Sequence, residues 1–321
     1  EIAEAIERIY GDRLDEHYEV LAYHWGHTDR IERRVEYLLK AGKKAKRVYS
    51  NRDAIDYLRE ALKLLKENPL GESRKDWRLE ALKELGQLYH GIGKGLEAEK
   101  YLREAIALGR EIKLDVHELV RLYYWLGEVL YWQRRWDEKI RLGKEGLALL
   151  GDETESVEAA LMNDIIAEGY LFKGDREKRR EFTLRNTRFV RRLPYTEELK
   201  AVYEHISNVY ADAKNLDEAF NWLDALEREA RQYRDLRALA IAHHIRGSGL
   251  ARKGDFHGAI REQRQALELL EKIGDPKTAI WCYHHLMRAF LILDELQEAE
   301  KWANKAYEIL EEVKSEAIAK A

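Results

Sequence analysis

The fold is decided by residues 79–108, which read LEALKELGQLYHGIGKGLEAEKYLREAIAL. Leu85 and Tyr89 keep the spacing of one helix face before glycines interrupt the pattern. Ala98 and Leu102 then resume the same spacing. Two helical faces separated by a short glycine-rich turn predict an antiparallel helix pair. Its small residues favour a close crossing, because larger side chains would separate the backbones.

The small residue near the start of the second helix recurs along the chain with a nearly constant step. It is alanine at five positions and basic at two, namely Ala54, Ala98, Lys139, Arg179, Ala219, Ala259 and Ala299. The steps between them are 44, 41, 40, 40, 40 and 40 residues. A period near 40 predicts an all-α solenoid of about seven antiparallel helix pairs over residues 31–321. Residues 1–30 are expected to hold one or two atypical helices.

Two details of the repeat give further expectations. Asp175, Asn215 and Asp255 stand before second helices, where their side chains are expected to cap the first turn. Lys139 and Arg179 replace the small residue and predict looser packing in their two pairs. The alternative is that large aromatic side chains fill the space from the other side, and in the first of these pairs they are Trp125, Trp132 and Trp136.

Composition excludes several classes of protein. Charged residues make up 36% of the 321 residues and only 3 are proline, which is typical of continuous, solvated helices. A net charge of −4 argues against direct nucleic-acid binding, because phosphate contacts need an excess of Lys and Arg. No stretch approaches the roughly 18 consecutive apolar residues of a membrane-spanning helix, so no membrane partner is expected. The lone Cys282 allows no intramolecular disulfide and favours a reducing, cytoplasmic location.

The residues of the helix crossing resemble the tetratricopeptide repeat, a helix pair of about 34 residues. In the clearest unit they are Leu85, Gly86, Tyr89, Ala98, Leu102 and Ala105. The longer period of this chain is similar to that of sensor regions in bacterial signalling ATPases, including the maltose-operon activator type. The stretch from Leu21 through Ala61 resembles the segment that follows an ATPase and winged-helix module in bacterial adenylate-cyclase-like proteins. The resemblance implies a right-handed superhelix whose occupancy controls an attached ATPase or cyclase.

The start of the chain fits this interpretation. The sequence begins at Glu1 and not at Met, so we expect it to be part of a longer protein. Residues 1–30 are then either atypical helices of the solenoid or the remnant of a preceding domain.

Catalytic and metal-binding motifs find little support in the residues. The run Gly91, Gly93, Lys94 and Gly95 lacks the upstream glycine and the following Ser or Thr of a phosphate loop. Ser248 has no glycine elbow or orienting acid around it. His244 and His284, which are 40 residues apart, are expected side by side, but no Cys or carboxylate completes a metal site. We therefore predict no enzyme, no cofactor and no bound metal.

The first helix of each pair lines the concave side of a tetratricopeptide superhelix, so its inner-face residues define the candidate ligand groove. These residues are polar and aromatic, as binding surfaces are, although Trp and Tyr can also fill the seam between pairs. The candidate groove residues are Tyr124, Glu128, Trp132, Asp164, Glu168, Glu204, Asn208, His244, Ser248, Trp281, His284 and Arg288. The expected partner is a protein segment or a small effector.

Residues 173–192 carry nine basic side chains against three acidic ones, which favours either a solvated outer helix or a docking site for an acidic partner. Taken together, the sequence predicts a non-catalytic binding and regulatory module. The alternative is a scaffold or dimerisation module that has no small ligand.

Overall fold

The computed structural model describes the backbone of residues 1–318 and the side chains of residues 1–276 and 278–311. Over these residues all regular structure is helical, and it includes seven helix pairs whose two members are joined by short turns. The pairs are α3 (Ile31–Arg47) with α4 (Asn51–Glu67), α6 (Lys75–Gly91) with α7 (Gly95–Glu111), α8 (Val116–Trp132) with α9 (Trp136–Leu150), α10 (Val157–Phe172) with α11 (Arg176–Asn186), α12 (Leu199–Asp212) with α13 (Leu216–Tyr233), α14 (Leu236–Lys253) with α15 (Phe256–Ile273), and α16 (Pro276–Ile292) with α17 (Leu296–Ile318). The predicted all-α solenoid of antiparallel pairs is confirmed.

The chain divides into two compact units, the N-terminal unit Glu1–Asp152 and the C-terminal unit Glu153–Ala321. The N-terminal unit opens with α1 (Ile2–Ile9), a 3-10 segment (Gly11–His17) and α2 (Tyr18–Trp25), and α2 packs against α3. A single-turn helix, α5 (Leu70–Ser73), precedes α6. Residues 1–30 thus lie in the same compact unit as the first three pairs, and their origin in a preceding domain stays a prediction.

The repeating alanines lie where the two helices of a pair cross. Ala54 and Ala98 have no exposed surface, and Ala219, Ala259 and Ala299 are at most 3% exposed. The opposing helix is equally constrained, since a Cβ atom added to Gly86 would lie 2.6 Å from the side chain of Leu102. Burial of this kind, worth about 25 cal/mol per Å² of apolar surface, is the main stabilising contribution in a stacked array.

The basic residue at the third crossing is accommodated without the loose packing that the sequence led us to expect. Lys139 has no exposed surface, its Nζ lies 3.1 Å from Glu128 Oε1, and it sits 5.1 Å from the centre of the Tyr131 ring. The aromatic alternative is wrong for Trp132, which is 53% exposed. The lysine side chain itself fills the crossing, because its amine pairs with the Glu128 carboxylate and lies near the face of the Tyr131 ring.

Arg179 is the basic residue at the fourth crossing, where α10 and α11 pack against each other. Its side chain is 13% exposed and binds Asp212 Oδ2 on α12 at 2.7 Å. The guanidinium group therefore leaves the crossing and ends in an ion pair on the next first helix.

The predicted caps are confirmed. Asp175, Asn215 and Asp255 accept hydrogen bonds from backbone N–H groups in the first turns of α11, α13 and α15 at 3.0, 3.3 and 2.8 Å. They satisfy donors that a helix start leaves unpaired.

None of the helices described by the structure is long and apolar enough to span a membrane.

Candidate functional site

In the C-terminal unit, the first helices α10, α12, α14 and α16 contact one another in that order. The predicted groove residues of this unit all lie on these four helices. At 40-residue steps they form two rows, one of Asp164, Glu204, His244 and His284 and one of Glu168, Asn208, Ser248 and Arg288. We call the surface that carries these rows the first-helix face.

The α10–α12 end of the face contains an imidazole among carboxylates. His205 Nδ1 on α12 donates to Asp164 Oδ1 on α10 at 2.8 Å, and His205 Nε2 lies 3.8 Å from Glu168 Oε1. Burial by itself lowers the pKa of His205, but the charge and hydrogen bond of Asp164, then the charges of Glu168 and Glu204, raise it to about 10. His205 is therefore an imidazolium at neutral pH.

Asp164 is the most buried of the predicted groove residues on α10, with a side chain that is only 2% exposed. Its Oδ2 atom is buried and has no hydrogen-bond partner among the described residues. Burying an acceptor without a donor is costly, so this oxygen marks a position where a further donor would be favourable.

A hydrogen-bond network joins α14, α15 and α16. His244 Nδ1 donates to Gln263 Oε1 at 3.0 Å, while Gln263 Nε2 donates to the His244 carbonyl at 2.9 Å. Ser248 Oγ donates to the same carbonyl at 3.1 Å and accepts from His285 Nε2 at 3.3 Å. We accordingly assign the Nδ1–H tautomer to His244 and the Nε2–H tautomer to His285. We call these four residues the His244 network.

The backbone of α14 makes room for this network at Gly247. A Cβ atom at this position would lie 2.8 Å from Gln263 Nε2 and 3.1 Å from the Ala259 carbonyl oxygen. Gly247 therefore allows Gln263, which is 1% exposed, to reach the backbone of the facing helix.

The two histidines of the network are neutral. Burial lowers the pKa of His244, and the hydrogen bond with Gln263 opposes this only in part. Burial also lowers the pKa of His285 to about 4, with further lowering by the surrounding groups His244, His284, Arg288 and Arg252. The first-helix face thus holds a charged histidine on α12 and neutral ones on α14 and α16.

The ring that contacts His244 is His285, with 5.1 Å between the ring centres. The expectation from the 40-residue step, which paired His244 with His284, is wrong in this detail. The His284 ring packs edge-on against the His285 ring, with 5.4 Å between the ring centres. The Nδ1 atom of His284 is buried without a hydrogen-bond partner among the described residues.

Cys282 and Ser248 are not activated nucleophiles. Cys282 is fully buried, and burial raises the pKa of its thiol to about 12, with a smaller contribution from Asp275. The Ser248 hydroxyl donates to a backbone carbonyl and not to a base. Within the described part of the chain, no group of three or more His, Cys, Asp or Glu side chains is arranged to hold a metal ion.

The remaining predicted residues of this unit differ in exposure. Trp281 on α16 is 55% exposed, Arg288 is exposed and has no ion-pair partner among the described residues, and Asn208 on α12 is half-buried. Arg252, one turn beyond Ser248, forms an ion pair with Asp212 at 3.3 Å. The α14–α16 end therefore carries accessible cationic and aromatic groups.

The N-terminal unit contains the other three predicted groove residues, all on α8. Tyr124 is 4% exposed and packs edge-on against Trp125 at 5.4 Å between ring centres, so it is a core side chain. Glu128 is the ion partner of Lys139. Trp132 is largely exposed and packs edge-on against Tyr131 at 5.1 Å.

The predicted groove residues did not include three residues of the site, namely His205, His285 and Gln263. The observed links between first helices join residues 41, 38 and 37 apart. Helical side chains lean toward the helix N-terminus, so the residue that reaches a neighbour need not be the one a full period away. The only available signal was the adjacency of His205 and His285 to residues already in the rows.

The basic segment 173–192 is largely compensated. Five of its nine cations form ion pairs within the C-terminal unit, and these are Lys178, Arg179, Arg185, Arg191 and Arg192. Arg176, Arg180 and Arg188 are exposed and have no ion-pair partner among the described residues.

Comparison with protein families adds an independent observation. Residues 237–312, which span most of the last two helix pairs, match the tetratricopeptide repeat family model. The fold is that of a tetratricopeptide-repeat solenoid. No curated protein sequence matches the chain significantly.

Solved structures support the same tetratricopeptide-repeat fold. A Rap conjugation gene regulator of the plasmid pLS20, in complex with the Phr* peptide, is 15% identical with a TM-score of 0.71, and the match covers 89% of this chain and 76% of that chain. A Rap protein complexed with competence and sporulation factor is 13% identical with a TM-score of 0.68 and coverages of 93% and 81%. NprR in complex with its cognate peptide NprX is 18% identical with a TM-score of 0.52 and coverages of 94% and 74%. These similarities do not test whether an ATPase or cyclase is attached, so that part of the interpretation stays a prediction.

Proposed function

We propose that the chain is a non-catalytic regulatory module that binds a short peptide on the first-helix face of its C-terminal unit. The observation that carries the proposal is the chemistry of the two rows on α10, α12, α14 and α16. Polar and charged side chains occupy these rows, and the exposed Trp281 lies one turn before His284, whereas five of the seven crossings between paired helices carry a buried alanine. Aromatic and cationic side chains at exposed positions are the groups that dominate protein recognition.

The similar structures support a peptide as the ligand. The two Rap proteins and NprR were each solved with a peptide or signalling factor, and they share the fold of this chain over most of its length. The absence of an activated nucleophile at Ser248 and Cys282 favours binding over catalysis. A regulatory role follows if the peptide prefers one arrangement of the stacked pairs and shifts the population toward it.

Affinity selection from a pool of random synthetic heptapeptides tests the proposal. The purified chain should enrich a family of related peptides, which mass spectrometry identifies. Replacing Trp281 by Ala should lower the affinity for the enriched peptides about fivefold or more, because the variant loses an exposed aromatic side chain that contacts the peptide but still folds. Tyr307→Ala is the matched control, since Tyr307 is 63% exposed on the second helix α17. Enrichment of no peptide family, or equal effects of the two variants, would contradict the proposal.

An acidic partner on residues 173–192 is a separate proposal, supported by the uncompensated charges of Arg176, Arg180 and Arg188. Their attraction to an acidic protein surface is solvent-exposed and falls with ionic strength. The proposal is supported if poly-glutamate binds and if this binding is lost both at 0.5 M salt and in a triple variant with Gln at positions 176, 180 and 188. Binding that the triple variant leaves unchanged contradicts it.

The scaffold alternative is supported by exposed apolar side chains on the last pair. Leu296, Tyr307 and Leu310 on α17 are 61%, 63% and 42% exposed. Sedimentation equilibrium distinguishes the alternatives. A dimer that Tyr307→Glu converts to monomer, together with no peptide enrichment, favours the scaffold.

A further inference from the structure

The lysines and arginines on the first helices of the C-terminal unit are paired with carboxylates, with one exception among the described side chains. Five of them have a side-chain nitrogen within 3.7 Å of a carboxylate oxygen, and these are Lys200, Arg237, Arg246, Arg252 and Lys253. Arg288 on α16 is exposed and has no such partner among the described residues. Resting on the proposed function, we infer that Arg288 binds a carboxylate group of the peptide and that Trp281 holds an apolar side chain of the same peptide.

The repeat explains why Arg288 lacks an acid. Arg252 reaches Asp212, which lies 40 residues earlier on the preceding first helix. The same step from Arg288 leads to Ser248, whose hydroxyl already donates to the His244 carbonyl. The repeat thus supplies a hydroxyl at the place where it supplies a carboxylate one pair earlier.

The surroundings of Arg288 are basic. The His285 ring lies 5.1 Å from the His244 ring and 5.4 Å from the His284 ring, measured between centres. Burial lowers the pKa of His285 to about 4, and His244, His284, Arg288 and Arg252 lower it further. Both guanidinium groups are therefore close enough to act on one imidazole, and a carboxylate near them enters a region of positive potential.

Arg288 provides the direct contact, and Arg252 adds charge at longer range. The Arg252 guanidinium lies 3.3 Å from Asp212 Oδ1, and Asp212 is also paired with Arg179 at 2.7 Å. Two arginines thus share one acid. A guanidinium group that is not paired can bind a carboxylate through two parallel N–H donors, which a lysine ammonium cannot do.

Trp281 gives the site an apolar surface. It is 55% exposed and lies two turns before Arg288 on α16, with His284 between them on the same helix face. At about 1.5 Å per residue, the two positions are about 10 Å apart along the helix. An extended peptide advances about 3.3 Å per residue, so it covers this distance with about three residues. The ligand is therefore a peptide with an apolar side chain about three residues from a carboxylate.

The experiment uses the full chain and three pools of random heptapeptides. The first pool lacks Asp and Glu and has a free C-terminus, the second is the same pool with an amidated C-terminus, and the third is amidated but contains Asp and Glu. We expect the second pool, which has no carboxylate, to be captured about tenfold less than at least one of the others, because a charge-assisted pair of hydrogen bonds is lost. Capture of the first pool alone identifies the terminal carboxylate as the source. Capture of the third pool with an acid enriched at one position identifies a side chain.

Three variants assign the two contacts. Arg288→Gln should lower capture of the preferred pool to that of the pool without carboxylates, and Arg288→Lys, which keeps the charge but not the paired donors, should be intermediate. Trp281→Ala should lower capture and remove the apolar preference, but it should leave the ratio between the pools unchanged. Arg261→Gln is the matched control, since Arg261 is exposed on the second helix α15 and has no ion-pair partner in the described part of the chain.

The outcomes separate this inference from the function on which it rests. Equal capture of the three pools overturns the inference and leaves peptide binding intact. A carboxylate preference that Arg288→Gln retains, or that Arg261→Gln also removes, overturns it as well, because the carboxylate is then recognised elsewhere. Circular dichroism melts check the folding of each variant, and if Arg288→Gln melts early, Arg288→Lys decides by the same criterion. Capture of no pool overturns both the inference and the proposed function.

Discussion

Replacing Asp164 by Asn should remove a pH-dependent part of the stability of the C-terminal unit. In the structure His205 donates to Asp164 at 2.8 Å, and the pKa of His205 is raised to about 10. Asparagine keeps the size of the side chain and an oxygen that can accept this hydrogen bond, but it removes the negative charge. The variant therefore isolates the electrostatic part of the interaction.

The magnitude follows from linkage between protonation and folding. The pKa rises from 6.5 to about 10, a difference of about 3.5 units, which at about 1.4 kcal/mol per unit corresponds to at most about 5 kcal/mol. The His205 side chain keeps 20% of its surface exposed, so solvent screens part of this energy. We expect Asp164→Asn to lose about 2–3 kcal/mol of unfolding free energy at pH 6.5, within the range for breaking a buried pair.

The sign of the pH dependence is also determined. A histidine with a raised folded-state pKa stabilises the fold fully below its unfolded pKa of about 6.5, and this contribution is lost as the pH rises toward 10. Wild-type stability should therefore exceed that of Asp164→Asn most at pH 6.5, and the two should converge by pH 9.5. Urea unfolding followed by circular dichroism at half-unit pH intervals measures this difference.

Asp212→Asn is the control for a general effect of removing a carboxylate. Asp212 pairs with Arg179 and Arg252 at a side chain that is 49% exposed, so we expect a loss below about 1 kcal/mol. Its difference from wild type should not vary between pH 6.5 and 9.5. A difference between wild type and Asp164→Asn that stays constant over this range would refute the reasoning.

Three further predictions concern other buried positions. Because the pKa of His285 is lowered to about 4, wild-type stability should fall as the pH decreases from 6.5 to 4, and thermal melts of His285→Gln should show a smaller fall. Ala259→Arg, at a crossing that is 3% exposed, should cost about 3 kcal/mol or more of unfolding free energy, and an unchanged melting curve would contradict the assigned register. Lys139→Ala should cost about 3 kcal/mol by breaking the buried ion pair with Glu128, and adding Glu128→Ala should restore part of the loss in a double-mutant cycle, whereas strict additivity would argue against the pair.

The period of the sequence was sufficient to predict the helix pairs, because close helix crossing admits only small side chains. Ala54 and Ala98, like the later alanines of the series, are buried where the period places them. The caps Asp175 and Asp255 were equally predictable, since capping depends on residues only three apart.

The surroundings of Lys139, in contrast, could not be predicted from the neighbouring sequence. The sequence indicates that a lysine replaces an alanine, but not that its amine reaches Glu128, eleven residues earlier on the facing helix. Whether a buried cation is tolerated depends on the partner that tertiary packing brings to it.

The candidate site was predictable by position but not by chemistry. Counting from the alanine markers found the correct helices and two of the network residues, His244 and Ser248. It could not show that His205 is charged and His285 neutral, because that difference arises from Asp164 in one case and from burial in the other.

The polar residues of the first helices are of two kinds, those that bridge neighbouring helices and those that are exposed. Each pair contacts mainly its neighbours, so residues that bridge neighbouring helices, such as those of the His244 network, contribute to the stability of the stack. Trp281 and Arg288 are exposed on the same surface and can be replaced without disturbing any crossing. Ligand preference can therefore change through the exposed residues while the bridging residues keep the helices in register. For this reason a variant that loses binding but keeps its melting temperature is more informative about the ligand than any change at His244.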